Sequence, residues 1–357
     1  MKKICFLIGN LDNSGGTERV TSLIANELAE KNVDVSILSL SGGTTPFFEL
    51  KDSIHNYNLY PKHISFKKNF VGVVWKIRQF IKHNQIDTLI VVDSISCVFT
   101  VPAVYGLKVN HICWEHFNFN VNLGVKLRDL GRKLAAKYCD YIVTLTDRDK
   151  ELWERGLEGI NAKIVSIANP TPYENVEHLP NTKSKTILAL GRLTYQKGFD
   201  ILIEAWSHVC QESQDWKLRI VGGGEDEKAL KDQANYLGIS DRIDFIPVTR
   251  DVEHHYKTSA FFCLSSRFEG FGMVILEAQS FGLPVVSFDC DCGPTDLIEN
   301  GINGWLVKNG DIDALAKQIL ECIDIDNESY IEISRNASKS SSKFSAHHIS
   351  KKWSVII

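Results

Sequence analysis

The chain has 357 residues, more than one hydrophobic core usually supports, so two domains are expected. With 44% hydrophobic and 24% charged residues and a formal net charge of −4, its composition excludes a disordered or collagen-like chain. No apolar run approaches the roughly 18 residues that span a bilayer, and the apolar stretch near the N-terminus stops at Gly9 without a cleavage site. The sequence therefore predicts a cytoplasmic protein.

Charge is unevenly divided along the chain. Residues 1–168 carry 21 basic and 17 acidic residues, whereas the remainder carries 19 basic and 27 acidic residues. The basic residues of the first part are densest in Lys62–Lys82 and Lys126–Lys137. This asymmetry indicates that the first half faces an anionic partner.

The nine cysteines are typical of buried free thiols in a reducing compartment, since several lie inside apolar runs. Those in apolar runs include Cys5, Cys97, Cys113 and Cys263. Cys290 and Cys292 stand at a CxC spacing, but no second Cys or His pair at zinc spacing accompanies them. No metal site is predicted.

The first half alternates between strand and helix patterns. Apolar runs predict strands at Lys3–Ile8, Val33–Leu40, Thr88–Val92, Val109–Trp114, Tyr141–Leu145 and Lys163–Ala168. Apolar residues at helical spacing predict helices at Thr17–Lys31, Val71–His83, Leu123–Lys137 and Asp147–Gly156. Repeated strand–helix units with short loops imply a doubly wound parallel sheet.

The pattern breaks at residues 169–181, where three prolines and three asparagines indicate a linker. It then restarts, with predicted strands at Thr186–Leu190, Leu218–Val221, Ile243–Ile246, Ala260–Leu264 and Pro284–Phe288. Helices are predicted at Gly198–Cys210, Glu225–Leu237 and Met273–Ser280, and a final one within Ser342–Ile357.

Two Rossmann-like α/β domains follow from this alternation. The expected boundaries are residues 1–168 for the first domain, 169–181 for the linker and 182–341 for the second domain. Residues 342–357 form a C-terminal helix that is expected to cross back to the first domain. Ligands of such sheets bind beyond the carboxyl ends of the strands, so a cleft between the two domains is the expected site.

Two glycine-rich loops each connect a strand to a helix. In NSGGT (13–17), glycines permit close backbone approach and the helix start offers N–H groups to an anion. In VGGGE (221–225), the third glycine of a dinucleotide fingerprint would fall at Glu227, so a nicotinamide cofactor is not indicated. Each loop alone is equally compatible with an ordinary glycine turn.

The segment GRLTYQKG (191–198) places Arg192 and Lys197 just past a strand end. A guanidinium and an ammonium at that position would pair with a diphosphate and neutralise the charge that grows on a leaving nucleotide. The alternative interpretation is a pair of solvated surface cations.

The segment RFEGFG (267–272) precedes the predicted helix Met273–Ser280 and carries the strongest signal. Gly270 and Gly272 leave backbone N–H groups available to an anion at the helix start. Glu269 before the helix could accept hydrogen bonds from sugar hydroxyls, and Glu277 within it from a ribose. An ordinary capped helix is disfavoured, because Glu277 lies in the apolar run MVILEA, where a charge without a partner is costly.

Glu269 and Glu277 resemble the paired-glutamate signature of retaining GT-B glycosyltransferases of the family 4 type (glycosyl transferases group 1), in its bacterial surface-polysaccharide branch. Four further segments resemble the same family in the expected order: NSGGTERV (13–20), GRLTYQKGFD (191–200), VGGGED (221–226) and CDCGPTDLIENGINGWLV (290–307). The resemblance implies a GT-B fold, with two Rossmann-like domains facing a cleft.

The resemblance also implies residue roles. Glu269 would bind the transferred sugar and Glu277 the ribose, while Arg192 and Lys197 would hold the diphosphate. The implied donor-binding residues are Gly16, Arg192, Lys197, Gly223, Ile246, Pro247, Val248, Gly270, Phe271, Gly272 and Glu277. Ile246–Val248 would border the base, and Gly16 would approach the sugar or diphosphate.

His116, after the strand Val109–Trp114, occupies a position where the family often has a histidine at the reaction centre. With Glu269, Arg192 and Lys197 it completes the expected catalytic set. From spacing alone, a histidine that follows an apolar strand is more often a structural cap.

The activity implied is transfer of a hexosyl or N-acetylhexosaminyl group from a nucleotide-sugar, with a UDP-sugar favoured, and with retention of configuration. No cofactor or metal is expected, because no Asp-x-Asp motif suits a metal-held diphosphate: Asp289 and Asp291 flank Cys290 but belong to the CDCGP loop. The alternatives are a non-catalytic nucleotide-sugar-binding protein and a GT-B nucleotide-sugar epimerase.

The expected acceptor is a glycan or a polyprenyl-linked sugar, with no nucleic acid as partner. The predicted helix Leu123–Lys137 has the pattern of a basic amphipathic helix at an anionic membrane. Its basic residues are Lys126, Arg128, Arg132, Lys133 and Lys137, beside Leu127, Leu130 and Leu134. Peripheral attachment to the inner face of the plasma membrane is therefore a hypothesis, and a packed helix with a basic solvent face is the alternative.

Overall fold

The computed structural model describes all residues from Met1 to Ile357, which form two compact units. Unit 1 comprises Met1–Pro172 together with Phe344–Ile357, and unit 2 comprises Tyr173–Lys343. Each unit is built on one parallel sheet, which confirms the prediction of two Rossmann-like α/β domains.

Unit 1 contains seven strands in the spatial order β3-β2-β1-β4-β5-β6-β7. The strands are β1 (Lys2–Ile8), β2 (Val33–Ser39), β3 (His55–Asn58), β4 (Thr88–Val92), β5 (Asn110–Trp114), β6 (Tyr141–Thr144) and β7 (Lys163–Ser166). The helices are α1 (Gly16–Ala29), α2 (Phe70–Asn84), α3 (Cys97–Val104), α4 (Lys126–Tyr138) and α5 (Asp147–Gly156).

Unit 2 contains six strands in the order β10-β9-β8-β11-β12-β13. The strands are β8 (Thr186–Leu190), β9 (Lys217–Val221), β10 (Ile243–Ile246), β11 (Phe261–Leu264), β12 (Val285–Asp289) and β13 (Gly304–Lys308). The helices are α6 (Phe199–Glu212), α7 (Glu227–Tyr236), α8 (Val252–Lys257), α9 (Met273–Ser280), α10 (Pro294–Leu297), α11 (Ile312–Ile323) and α12 (Asn327–Ser342).

The last helix, α13 (Ala346–Trp353), follows unit 2 in the chain but packs on unit 1. Its Trp353 is fully buried, with its ring centroid 4.8 Å from that of Trp114 at the end of β5. Lys31 Nζ donates a hydrogen bond to Ser350 Oγ (2.7 Å), which ties α13 to the chain just after α1. The predicted helix within Ser342–Ile357 is therefore present, although it begins only at Ala346.

Continuous apolar runs form the centres of both sheets. Residues 4–8 of β1 and all of β4 are buried, as expected for strands that helices cover on both faces. The pattern did not predict β3, because HNYN is a short polar edge strand. It also missed α3, because CVFTVPAV is apolar on nearly all sides and contains Pro102.

Candidate active site

Three loops at the carboxyl ends of β8, β9 and β10 lie side by side in unit 2. The N–H of Leu193 donates to the carbonyl of Gly223 (3.0 Å), and the N–H of Gly222 donates to the carbonyl of Ile246 (2.9 Å). A Cβ on Gly222 would lie 1.9 Å from the carbonyl oxygen of Gly191, so the loops touch backbone to backbone. Ligands of parallel sheets bind at this edge.

Glu269 and Lys197 form an ion pair at the same edge, where the β11 loop meets the β8 loop. Lys197 Nζ lies 2.6 Å from Glu269 Oε1, and Ser266 Oγ donates to the same oxygen at 2.7 Å. Glu269 is buried, whereas the Lys197 side chain is partly exposed. The structure thus brings together two residues whose sequence positions are far apart. The Glu269 carboxylate, held by two donors, therefore has a fixed orientation.

The backbone around Lys197 is held by packing. Residues Tyr195–Lys197 form a short 3₁₀ turn that ends at Gly198, whose φ is +62°. Arg267 Nη1 donates to the carbonyl of Tyr195 (2.8 Å), and its guanidinium lies 4.1 Å from the Tyr195 ring centroid. Arg267 also donates two hydrogen bonds to Asp200 (2.8 and 2.6 Å), which hold its guanidinium against this turn. The position of the ammonium is therefore set by the fold.

The α9 helix begins at the same edge without a side-chain cap. Gly272 precedes Met273 in the left-handed region (φ 85°, ψ 48°), and no side chain caps the helix start. A Cβ on Gly293, in the loop after β12, would lie 2.0 Å from the carbonyl oxygen of Phe271. The predicted Gly270–Gly272 turn is thus present and tightly packed. An uncapped helix start attracts an anion.

Glu277 lies within α9, is buried, and accepts a hydrogen bond from Tyr256 Oη (2.9 Å). Tyr256, in α8, is fully buried and stacks on Phe281 with ring centroids 5.2 Å apart. The sequence analysis did not predict that Tyr256 and Ser266 contact the two glutamates. Ser266 stands three residues before Glu269 and could have been found there, whereas nothing in the sequence links Tyr256 to a carboxylate 21 residues later.

The remaining predicted donor residues surround this edge. The exposed Val248 follows β10, and a Cβ on Gly223 would lie 3.1 Å from its side chain. Ile246 ends β10 and Pro247 follows it. Arg192 is exposed directly after β8. Unit 2 therefore carries every predicted donor residue except Gly16, which begins α1 of unit 1 behind Gly15 without a side-chain cap.

His116 follows β5 of unit 1 and lies over Trp114, with ring centroids 4.5 Å apart. Its Nε2 is buried and has no hydrogen-bond partner. Burial lowers the pKa of His116 to about 3, so the ring is a neutral imidazole at physiological pH. A buried ring nitrogen without a partner is a ready donor or acceptor for a ligand hydroxyl.

A buried carboxylate that the sequence analysis missed holds the His116 loop. Glu115 is fully buried and accepts hydrogen bonds from Ser94 Oγ (2.5 Å), Arg132 Nε (3.1 Å) and the His116 N–H (3.1 Å). The Arg132 guanidinium in turn donates to the carbonyls of Asn118, Phe119 and Val121. The loop that carries His116 is therefore fixed from both sides.

This network corrects the predicted orientation of α4. Arg128 and Arg132 do not belong to a basic surface, because both side chains are buried. Arg132 forms an ion pair with Glu115, and Arg128 forms one with Asp93 (2.6 Å). Leu127 and Leu130, expected to lie beside them, are instead 36% and 45% exposed. The reason is that Glu115 and Asp93 at the strand ends offer carboxylates that outweigh the packing of two leucines.

Unit 1 has a cavity of about 620 Å³ at the carboxyl ends of β1, β2 and β3. Its lining includes Asn10, Asn13, Ser41, Lys62 and His63. The lining also includes the apolar Pro61 and Phe66 and the carboxylate of Glu18, and its lysine, Lys62, comes from the basic stretch Lys62–Lys82. None of the helices is long and apolar enough to cross a membrane.

Two family descriptions match the chain. Residues 172–340 match "Glycosyl transferases group 1" and residues 14–174 match "Glycosyltransferase Family 4". An uncharacterized glycosyltransferase of Haemophilus influenzae is 40% identical over the full length of both chains. The fold and the two family descriptions define a GT-B glycosyltransferase, and the chain belongs to the family 4 (group 1) glycosyltransferases.

More distant relatives also align over essentially the whole chain. An α-1,4-N-acetyl-D-galactosaminyltransferase of Campylobacter jejuni is 29% identical over 100% of this chain and 98% of its own, and its name specifies an undecaprenyl-diphosphate-linked acceptor. Among solved structures, the lipopolysaccharide outer core galactosyltransferase WaaB has a TM-score of 0.79 at 23% identity, with 99% and 98% of the chains covered. HepE from Anabaena, solved with UDP and glucose, has a TM-score of 0.81 at 21% identity over 99% of each chain. These structures support the GT-B fold.

Proposed function

We propose that the protein transfers a sugar from a nucleotide-sugar, with a UDP-sugar favoured, to a hydroxyl of a glycan or lipid-linked acceptor, with retention of configuration. The observation that carries the proposal is the Lys197–Glu269 pair (2.6 Å), with its carboxylate buried, at the sheet edge where α9 begins. The proposed transferred group is a hexosyl or an N-acetylhexosaminyl group. The proposed setting is the assembly of a bacterial surface polysaccharide.

Unit 2 is the proposed donor-binding unit. Glu269 accepts hydrogen bonds from the transferred sugar, and Glu277, oriented by Tyr256, accepts them from the ribose. The exposed Val248 beside the Gly223 loop offers an apolar surface to the base. The UDP and glucose bound to HepE, a protein of the same fold, support the choice of a UDP-sugar.

Departure of the nucleotide places negative charge on the diphosphate. Lys197, Arg192 and the uncapped start of α9 supply positive charge for it, and together they take the place of a divalent cation in this proposal. The released diphosphate oxygen takes the proton of the acceptor hydroxyl as the new glycosidic bond forms on the face that the diphosphate leaves. Neutral His116 contributes a hydrogen bond to the reacting sugars.

Unit 1 is the proposed acceptor-binding unit. Its cavity offers the side chains of Asn10, Asn13 and Ser41 to the hydroxyl groups of a glycan precursor, beside the apolar Pro61 and Phe66. Two relatives support this class of acceptor: the Campylobacter enzyme named for an undecaprenyl-linked substrate, and an Erwinia amylovora glycosyltransferase named for amylovoran biosynthesis, 26% identical over 100% of both chains.

The exposed face of α4 is the proposed contact with an anionic membrane. The α4 surface consists of the exposed apolar residues Leu123, Val125, Leu127, Leu130 and Tyr138 and the exposed lysines Lys126, Lys133 and Lys137. Apolar side chains ringed by lysines are typical of helices that lie at an anionic lipid interface. The protein would then act in the cytoplasm, bound peripherally to the inner face of the plasma membrane.

Transfer is tested with purified protein, a panel of UDP- and GDP-sugars and a polyprenyl-linked glycan acceptor, by mass analysis of the product. Glu269→Ala and Lys197→Ala should each lower transfer by ~100-fold or more if electrostatic stabilisation dominates. The matched control is Lys217→Ala, which removes an exposed ion pair with Asp244 in the same unit. Near-normal transfer by both site variants would refute the assignment.

The same panel separates the competing functions. A non-catalytic binding protein is stabilised by a nucleotide-sugar against thermal unfolding but releases no nucleotide. An epimerase returns an altered nucleotide-sugar without any acceptor. A transferase releases nucleotide in step with the glycosylated acceptor, and the anomeric configuration of the product, read by NMR, tests retention. Full activity after exhaustive chelation is the outcome expected for donor binding without a metal.

Membrane contact is tested by co-sedimentation with vesicles of phosphatidylglycerol and phosphatidylcholine. Binding should fall when salt is raised or when phosphatidylglycerol is omitted, and should be largely lost in Leu127→Gln combined with Leu130→Gln. Leu179→Gln, at an exposed leucine of unit 2, is the control and should bind normally. Equal binding by all three proteins would contradict the role of the α4 surface.

A further inference from the structure

Four thiol and imidazole side chains of unit 1 converge in its hydrophobic core, away from the residues assigned to transfer. Cys97 begins α3, Cys139 directly follows α4, and His111 and Cys113 lie on one face of β5, two residues apart. All four are buried. The ligand atoms of Cys97, His111 and Cys139 lie within 4.8 Å of one another, and Cys113 hydrogen-bonds to Cys97.

The orientation of His111 fits a metal ligand. Its Nδ1 lies 3.5 Å from Cys139 Sγ. In a tetrahedral zinc site with Zn–S of about 2.3 Å and Zn–N of about 2.0–2.1 Å, the edge between a sulfur and a nitrogen ligand is likewise about 3.5 Å. The other ring nitrogen, Nε2, lies 3.0 Å from Thr100 Oγ1. Metal-binding histidines are commonly oriented by such a second hydrogen bond.

We propose that Cys97, His111 and Cys139 bind one zinc ion, with Cys113 beside Cys97 at the edge of the site. Thiolate and imidazole ligands select zinc over magnesium or calcium. The three ligands are all buried, which keeps solvent and substrate away from the ion, so the ion is structural. It would join α3, β5 and the end of α4, and it is independent of the donor site in unit 2, where no metal is expected.

The scattered positions of the ligands explain why sequence spacing gave no sign of this site. Only His111 and Cys113 are near neighbours in sequence, and no CxxC or HxxxH pair is present among the four residues. The strand order places β5 beside β4, and α3 and α4 then close over it. The fold therefore assembles the ligand set.

The test is the metal content of untagged full-length protein from zinc-supplemented cells, measured by mass spectrometry after gel filtration. About one zinc per chain is expected in the wild type and in Cys5→Ala, a buried cysteine of β1 outside the cluster. Cys139→Ala and His111→Ala should lose it. Equal zinc in all four proteins would identify an adventitious ion and overturn the proposal, as would a wild type without zinc.

Cobalt substitution keeps the proposal testable if the cluster variants fail to fold. Wild-type protein grown with cobalt should show the intense visible bands of tetrahedral cobalt and the ultraviolet charge-transfer bands of cobalt–thiolate bonds. Chelation after unfolding should abolish the bands and release one metal per chain. A folded wild type that acquires neither zinc nor these bands overturns the proposal, whatever its transfer activity.

Discussion

The Lys197–Glu269 pair is better explained by function than by stability. Moving two charges out of water costs several kcal/mol per ion, and replacing such pairs by apolar residues is often neutral or stabilising. Ser266 donates a hydrogen bond to Glu269, and Arg267 holds the backbone of the turn that carries Lys197 through the carbonyl of Tyr195. Both partners of the pair are therefore fixed. So much local support for a costly pair indicates that the carboxylate and the ammonium serve a ligand.

A second single residue, His116, is expected to govern part of the pH dependence of folding. In His116→Gln the free energy of unfolding should change less with pH between about 6.5 and 4 than it does in the wild type. Burial lowers the folded-state pKa of His116 to about 3, whereas the unfolded chain takes up the proton near 6.5. Below that pH the unfolded state binds a proton that the folded state does not, so wild-type stability falls by up to ~1.4 kcal/mol per pH unit.

Urea unfolding of both proteins at about pH 7, 6 and 5 measures this difference. Asp149 and Asp93, whose pKa values are raised by burial to about 7 and about 6, titrate in both proteins and cancel in the comparison. Parallel pH dependence of wild type and variant would contradict the buried, neutral state of His116.

At the scale of elements, the turn into α9 depends on a left-handed residue. Gly272→Ala should cost ~1–2 kcal/mol of stability, since an L-residue with a Cβ avoids this region. As the turn relaxes, the backbone donors at the helix start move, and UDP binding should weaken by about 10-fold. Isothermal titration with UDP measures the loss.

Gly301→Ala is the matched control for this turn. Gly301 also has a positive φ (78°), and a Cβ there would meet no atom within 4 Å. Its replacement should cost similar stability without weakening UDP binding. Unchanged UDP affinity in Gly272→Ala would show that the start of α9 is not where the diphosphate binds.

The sequence predicted an element well where an unbroken run of its residues is buried. It predicted poorly which face of a helix is buried when polar contacts between residues far apart in the chain determine that face. β1 and β4 could be predicted because both faces of these strands are covered, so the apolar run itself defines the strand. The orientation of α4 could not be predicted, because Arg128 faces inward to pair with Asp93, which lies 35 residues earlier in the chain. The same limit hid Tyr256, whose partner Glu277 lies on another helix.

At the scale of the whole molecule, Trp353 tests how α13 completes unit 1. Trp353→Ala should destabilise unit 1 by ~3–5 kcal/mol, because it removes a fully buried indole that packs on Trp114. Hydrogen exchange followed by mass spectrometry should show faster exchange in β1, β4 and β5, with the strands of unit 2 unchanged. Trp75→Ala, at a 59% exposed tryptophan of unit 1, is the control.

Equal loss of protection in both units of Trp353→Ala would mean that they unfold as one cooperative body. Loss confined to unit 1 would mean that each sheet carries its own stability. UDP-induced protection of unit 2 should then survive the substitution, since α13 belongs to unit 1 and these donor residues belong to unit 2.

The return of α13 to unit 1 also has a consequence during protein synthesis. Unit 2 is inserted between the two parts of unit 1, and the N–H of Thr171 donates to the carbonyl of Phe344 (2.8 Å) where those parts meet. A nascent chain must therefore expose the apolar surface around Trp114 until the ribosome has finished the whole of unit 2. Unit 2 can fold first, although it is made second, and the emerging unit 1 is a natural client for chaperones.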